Sequence, residues 1–393
     1  MALLDSSQPR SAVERLEAGL ADCPDVDEIA LAPIRGQLAR AIYLEEDQDR
    51  AIRLADEVLP VAERAQLMAV LADTLVTKGG ALHLIGRSVE GLALLELGLR
   101  LAKEHELTVV RLRATYNLAG TLGNASIEQF AQLTGEGLAH ARRLGLEGWE
   151  IAFAVNLSSG AFDLGDWDVA EAEARGLLER ETGGADDVLA VITLAVVNAF
   201  RGRRDDDVTE RLARFRERYA GEPKAVAMIE HARGLLAFLN GDYLGLAAIS
   251  QARVALRNDG AAMSRLFAAR GFAWAGRPDL AAVELDAFDN LVVPQRDIKA
   301  MRSAALMFLP EAAANPSAVG AVADSIAKME AIGVRLDAAL VCLEAGRFLD
   351  VANPEVRALV ERGRAFFLKV GAPSMVALAD ALLAQAARET TPA

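Results

Sequence analysis

The amino-acid sequence predicts an all-α fold, a right-handed α-solenoid of stacked helix hairpins, and three observations predict it. The composition is 52% hydrophobic but only 5% aromatic, alanine and leucine dominate, and long β-branched runs are rare, which is a helical balance. Glycines 86, 123, 165, 202, 241 and 276 stand 37, 42, 37, 39 and 35 residues apart, the spacing of helix-pair repeats. Seven positions before each lies a mostly small residue: Gly79, Tyr116, Ser158, Ala195, Gly234 and Ala269. A small side chain there lets two helices approach closely. Tyr116 is the exception and predicts a splayed or shifted repeat.

The stretch Asn156 to Leu178 shows the unit most clearly. Phe153, Leu157, Ala161 and Leu164 form one apolar stripe, and Ala170, Ala174, Leu177 and Leu178 form another at i, i+4, i+7 and i+8. Gly165 suits the left-handed conformation that ends the first helix, and Asp166 is placed to cap the second. Glu171, Glu173, Arg175 and Glu179 fall on the solvent face. Two helices with one stripe each make an antiparallel hairpin that needs neighbours to be stable.

Along the chain, residues 1–25 read as a polar lead-in with a capping helix over Ser11 to Leu20, and residues 26–292 as the repeats. Glu46 occupies the turn position forty residues before Gly86. Ser126 with Gln129 forms a capping box opening the helix after Gly123. Residues 293–393 read as degenerate hairpins, roughly 294–332 and 333–371, closed by a capping helix from Ser374 to Arg388 and a frayed TTPA end. Asn315-Pro316 and Asn353-Pro354 each put a good N-cap before a proline at the first helical position.

GDWDVAEA at 165–172, GDYLGLAA at 241–248 and GRPDLAA at 276–282 resemble the tetratricopeptide turn and second helix. Ala170 and Ala281 keep that family's alanine, whereas Gly91, Asp207 and Leu246 depart from it. Residues 75–120 and 137–150 further resemble the C-terminal helical-repeat region of bacterial regulators that join a class III adenylate/guanylate cyclase domain to a signal-transduction ATPase. The chain has no Walker-type G-x-x-x-x-G-K-[ST], and Lys78-Gly79-Gly80 falls within a repeat helix. The resemblance therefore implies a sensing or docking segment without the cyclase or ATPase activity.

Candidate sites follow from register. In helix-pair repeats the first helix of each pair lines the concave face, at positions thirteen, ten, six, three and two before the turn glycine. That places Asp73 and His83 on the groove, then Arg113 and Asn117, then Ser159, Phe162 and Asp163, then His231 and Phe238, and last Arg270 and Trp274. The face runs from polar to apolar and aromatic, which suits an extended peptide or partner helix. For the C-terminal half two readings stand equally, an open groove or ordinary core closed by the superhelix.

Other features point to structure. The four histidines are scattered without ligand spacing. The runs Glu45-Glu46-Asp47 and Asp205-Asp206-Asp207 sit where negative charge complements a helix N-terminus. Asp163, Asp166 and Asp168 lack the loop and glutamate of an EF-hand, and Trp167 holds the aromatic position of the repeat turn. Cys23 and Cys342 read as reduced cytosolic thiols. The net charge of −14 argues against nucleic acid; MALLDSSQPR shows no targeting pattern and no run is long enough to span a bilayer. The expectation is a cytoplasmic, non-enzymatic scaffold without cofactor or metal. It binds a protein, a peptide or a small effector, or else it serves as the regulatory tail of a cyclase/ATPase enzyme.

Overall fold

Residues 9–389, apart from 124, 181–184, 257–259, 292 and 294, are described by a computed structural model, and every regular element among them is helical. The residues before Pro9 and the TTPA end lie outside the described residues. No described helix is long and apolar enough to cross a membrane. The chain divides into two compact units, residues 1–123 with 132–153, and residues 124–131 with 154–393. The boundaries differ from the expected 25/26 and 292/293.

Unit 1 contains α1 (Pro9–Ala21), α2 (Glu28–Leu44), α3 (Gln48–Arg64), α4 (Met68–Leu84), α5 (Ser88–Glu104) and α6 (Thr108–Gly123). It also holds most of α7 (Ile127–Leu144) and the start of α8 (Glu147–Asp163). Helices α2 to α5 are 17 residues each. Three-residue turns join them, and the middle residue of each turn is left-handed: Glu46 (φ 67), Gln66 (φ 53), Gly86 (φ 86) and Glu106 (φ 55). The expected turn at Glu46 is therefore present, but from α2 to α6 the repeat is a single helix and turn of 20 residues. Only Gly86 marks such a turn with a glycine; the other three residues accept a conformation that costs roughly 1–2 kcal/mol outside glycine.

Close packing of α4 on α5 depends on two glycines. A Cβ on Gly79 would stand 2.8 Å from the carbonyl oxygen of Gly91, and one on Gly91 would stand 2.6 Å from that of Gly79. Gly91, where the repeat alanine is missing, is thus one half of a backbone-to-backbone contact. At the next pair the packing changes. Tyr116 stands edge-on to Trp149 and Phe153, with centroids at 6.1 and 5.7 Å. Gly137 makes room for the Phe153 ring, which a Cβ there would meet at 2.3 Å. Three rings fill the space that small residues close elsewhere.

Unit 2 continues the hairpins through α9 (Trp167–Leu178), α10 (Ala185–Phe200), α11 (Asp206–Arg218), α12 (Pro223–Leu239), α13 (Tyr243–Val254), α14 (Ala261–Trp274) and α15 (Pro278–Asp289). Glycines 165, 202, 241 and 276 are all left-handed, as the turn alignment requires. Then α16 (Arg296–Ala304) breaks into a 3-10 turn (Ala305–Phe308) and the short α17 (Pro310–Ala313), before α18 (Ala318–Ile332). Asn315 does not cap at Pro316; its Oδ1 accepts from the Ser317 N–H and hydroxyl, and Ser317 is the N-cap. The last helices are α19 (Arg335–Phe348), α20 (Pro354–Val370), capped by Asn353 as expected, and α21 (Pro373–Glu389).

Helix α19 is central to unit 2. Ten of its fourteen residues are buried, so it packs on all sides, as a helix without a polar face must. Glu344 on α19 accepts from Arg270 of α14 at 2.6 and 3.2 Å and from the Trp274 indole N–H at 3.1 Å, all fully enclosed. Helix α20 then returns to the Gly165 turn. A Cβ on Gly165 would lie 2.5 Å from the Phe366 ring, and Trp167 meets Phe366 edge-on at 6.3 Å. Asp166, expected to cap α9, makes no cap hydrogen bond and faces the Lys369 ammonium at 3.1 Å. One hydrophobic core runs from Trp167 to Leu382, so residues 293–393 share the core of the repeats before them.

Urea denaturation of four variants tests this packing. Gly91→Ala should cost ~1–3 kcal/mol by forcing backbones apart, whereas Gly120→Ala, with nothing within 4 Å, should stabilise α6 by about 0.5–1 kcal/mol. Glu344→Ala leaves the Arg270 charge buried and alone and should cost about 3–5 kcal/mol; the double variant with Arg270→Met should recover part of that loss.

Candidate functional site

The residues expected to share one groove fall into four settings. In unit 1, Asp73 and Arg113 come together. The Arg113 guanidinium donates to the Asp73 carbonyl at 2.6 Å and the Thr77 hydroxyl at 2.7 Å, and its Nε lies 3.3 Å from the Asp73 carboxylate. Gln37 of α2 donates to the same carboxylate at 3.1 Å. Burial lowers the Arg113 pKa, with Asp73 opposing the shift. Arg113, expected on the groove, is 6% exposed and therefore buried; beside Asp73 a shallow depression of about 310 Å³ is lined by Gln37, Arg40, Val70, Asp73 and Val109 among others, on α2, α4 and α6. Asn117 is partly buried on α6. His83 lies at the end of α4, where its Nδ1 is 3.1 Å from the Ser88 hydroxyl at the start of α5. It belongs to a hairpin turn.

In unit 2, Phe238, Arg270 and Trp274 are 5, 4 and 4% exposed. Phe238 meets Trp274 edge-on at 5.1 Å, and Arg347 of α19 lies over the Trp274 ring at 4.3 Å. These three are core beneath α19, not an open surface. Helix α19 of the chain itself occupies that place.

Ser159, Phe162, Asp163 and His231 converge instead on a cavity of about 200 Å³. Its walls come from the second half of α8, from α9, α10 and α12: Val155, Phe162, Leu177, Leu189, Ile192, Val196 and Leu235 supply apolar surface. Ser159 is exposed and marks the mouth. Four polar groups join it on the lining. The Ser158 hydroxyl is spent on the Ala170 carbonyl at 3.0 Å. Thr193 lies on α10. His231 accepts at Nδ1 from the Arg253 guanidinium, 3.1 Å away. Its pKa is pushed down to about 3 by burial and by Arg253 and Arg270, so the ring is neutral and carries its proton on Nε2.

Asp163 differs from the others. Its carboxyl is enclosed by protein but keeps accessible surface at the cavity wall, and it has no hydrogen-bond or ion-pair partner among the described residues. Burial, then Asp337 of α19 and Asp297 of α16, raise its pKa to about 7. Asp337 is itself raised, by burial first. Among the described residues no three His, Cys, Asp or Glu side chains are close enough to hold a metal ion.

Register reasoning found the α8 and α12 members of this site, because both are first helices of a pair. It missed Asp297, Asp337 and Glu344, which come from the C-terminal helices. A signal for two of them exists: Asp337 and Glu344 are seven residues apart, on one face of a helix whose only other charged residues are Arg335 and Arg347.

The raised pKa carries a sign. The proton that Asp163 holds in the folded chain contributes stability that is complete below the ordinary carboxylate range and is lost as pH rises through about 7. Asp163→Asn should therefore stabilise the protein on the order of 2 kcal/mol at pH 8, with little effect at pH 4, in denaturant titrations at the two pH values. No protein-family model and no curated protein matches the chain.

Proposed function

We propose that the chain is a non-enzymatic scaffold of the tetratricopeptide type, a right-handed α-solenoid that takes up a small effector in signalling or transcriptional regulation in the cytoplasm. The observation that carries this reading is the cavity of unit 2, where four helices leave an apolar space of about 200 Å³ whose wall holds the Asp163 carboxyl, without a partner among the described residues. Sites for small ligands have this make-up, apolar walls with few placed polar groups. The volume exceeds the roughly 150 Å³ that suffices for benzene, so the effector is small.

A peptide or protein partner has its best support at the depression on α2, α4 and α6 of unit 1, where Arg40 and Gln37 stand beside Val70 and Val109. The cyclase/ATPase-tail reading rests on residues 75–120 and 137–150, all within unit 1. Co-purification with such an enzyme would favour it over an independent scaffold.

Ser159→Trp tests the effector reading, because an exposed position tolerates the ring while the mouth does not. A screen of small aromatic and aliphatic molecules by ligand-observed NMR should give binders to the full chain that this variant loses at least tenfold in affinity, with helical content unchanged. Equal binding by both proteins would place the site elsewhere.

A further inference from the structure

We infer that the unit 2 cavity takes a small organic monocation, a protonated amine carried on an apolar body slightly larger than benzene, with the ammonium seated on the Asp163 carboxylate. This rests on the effector reading above and assigns the effector a chemical class.

Three observations on the lining support it. First, the polar groups are unequally committed. Ser158 and His231 already bond to Ala170 and Arg253, while the Asp163 carboxyl lines the cavity with no partner among the described residues. A carboxyl at a cavity wall without a protein partner is free to accept a charge-assisted hydrogen bond from a bound donor. Second, the charges that face Asp163 are negative. Asp297 from α16 and Asp337 from α19 act on it directly. The guanidiniums around the site are engaged elsewhere, Arg270 by Glu344 at 2.6 Å, Arg253 by His231 at 3.1 Å, and Arg335 by Glu128 at 2.9 Å and the Leu164 carbonyl at 3.5 Å. An anion would meet three carboxylates, and a cation would satisfy one of them at close range. Third, apart from the Thr193 hydroxyl and Ser159 at the mouth, the remaining walls, Phe162, Ile192, Val196 and Leu235 among them, are apolar and suit a hydrocarbon body. A bare metal ion would find one carboxylate in an apolar space, and no three metal-ligating side chains gather among the described residues.

Binding then moves a proton. Near neutral pH the Asp163 carboxyl is partly protonated; the arriving ammonium keeps its own proton, and the carboxyl proton leaves to solvent. The groups setting this equilibrium are Asp297, Asp337 with its neighbour Arg270, and the neutral His231 with its neighbour Arg253. Affinity for an amine should rise about tenfold between pH 6 and pH 8, while affinity for an uncharged molecule of the same shape should not change.

The test uses the full chain with 2-phenylethylamine and its uncharged counterpart 2-phenylethanol, titrated calorimetrically at pH 6 and pH 8. The proteins are the wild type, Asp163→Asn and Ser159→Trp. The expected result is an amine preference of tenfold or more at pH 8, and at pH 6 a proton release seen as a buffer-dependent heat. That preference should be lost in Asp163→Asn, and both probes should be lost in Ser159→Trp. Equal affinity for the two probes in wild type, or an amine preference surviving in Asp163→Asn, overturns the amine assignment. If the alcohol still binds and Ser159→Trp blocks it, the effector reading stands without the amine. Binding of neither probe to wild type overturns both.

Discussion

The buried contact among Arg270, Glu344 and Trp274 is the constraint on which unit 2 depends. It ties the middle of α19 to the inner face of α14, with two guanidinium hydrogen bonds and one indole hydrogen bond on a single carboxylate. An enclosed ion pair of this kind repays its desolvation only when its geometry is good, and an apolar replacement can match it in stability. Its value here is in register. Sliding α19 by one turn would leave the Arg270 guanidinium and the Glu344 carboxylate each buried without a partner, so one placement is strongly preferred.

The rest of unit 2 follows from that placement. With α19 fixed inside the hairpins, Arg335 at its start reaches Glu128 at 2.9 Å, and α20 lies back on the Gly165 turn. Gly165 meets two demands at once, a left-handed backbone and space for the Phe366 ring. Arg201 shows the same economy, bonding Asp168 and Glu171 on α9 while donating to the Val370 carbonyl of α20. Placing α19 also brings Asp337 toward Asp163, and α16 adds Asp297. The perturbed carboxyl of the cavity is thus a consequence of how the C-terminal helices close the core. Burial beside like charge is the circumstance in which raised carboxyl pKa values mark candidate sites.

Unit 1 is organised differently. Its helices α2 to α6 keep a 20-residue beat through left-handed turns of which only Gly86 is a glycine, and a depression opens beside Asp73. The tight α4–α5 contact through Gly79 and Gly91 and the aromatic cluster of Tyr116, Trp149 and Phe153 are two solutions to one problem, how near two backbones come when side-chain volume varies.

What the sequence by itself determined is local. Apolar stripes at helical spacing, turn glycines and small residues at the crossing points settle that the chain is helical, where Gly86, Gly165, Gly202, Gly241 and Gly276 turn it, and which faces of α8 and α12 look inward. These signals work because each concerns neighbours within one hairpin. The turns at Gln66 and Glu106 escaped because their conformation is imposed by flanking helices, not by a residue that prefers it. The tertiary structure alone decided what fills the inner face. Phe238, Arg270 and Trp274 carry a register identical to that of Ser159, Phe162 and Asp163, yet the first three are core and the last three line a cavity. The difference is the docking of α19, a contact between residues about seventy positions apart, which no repeat period encodes.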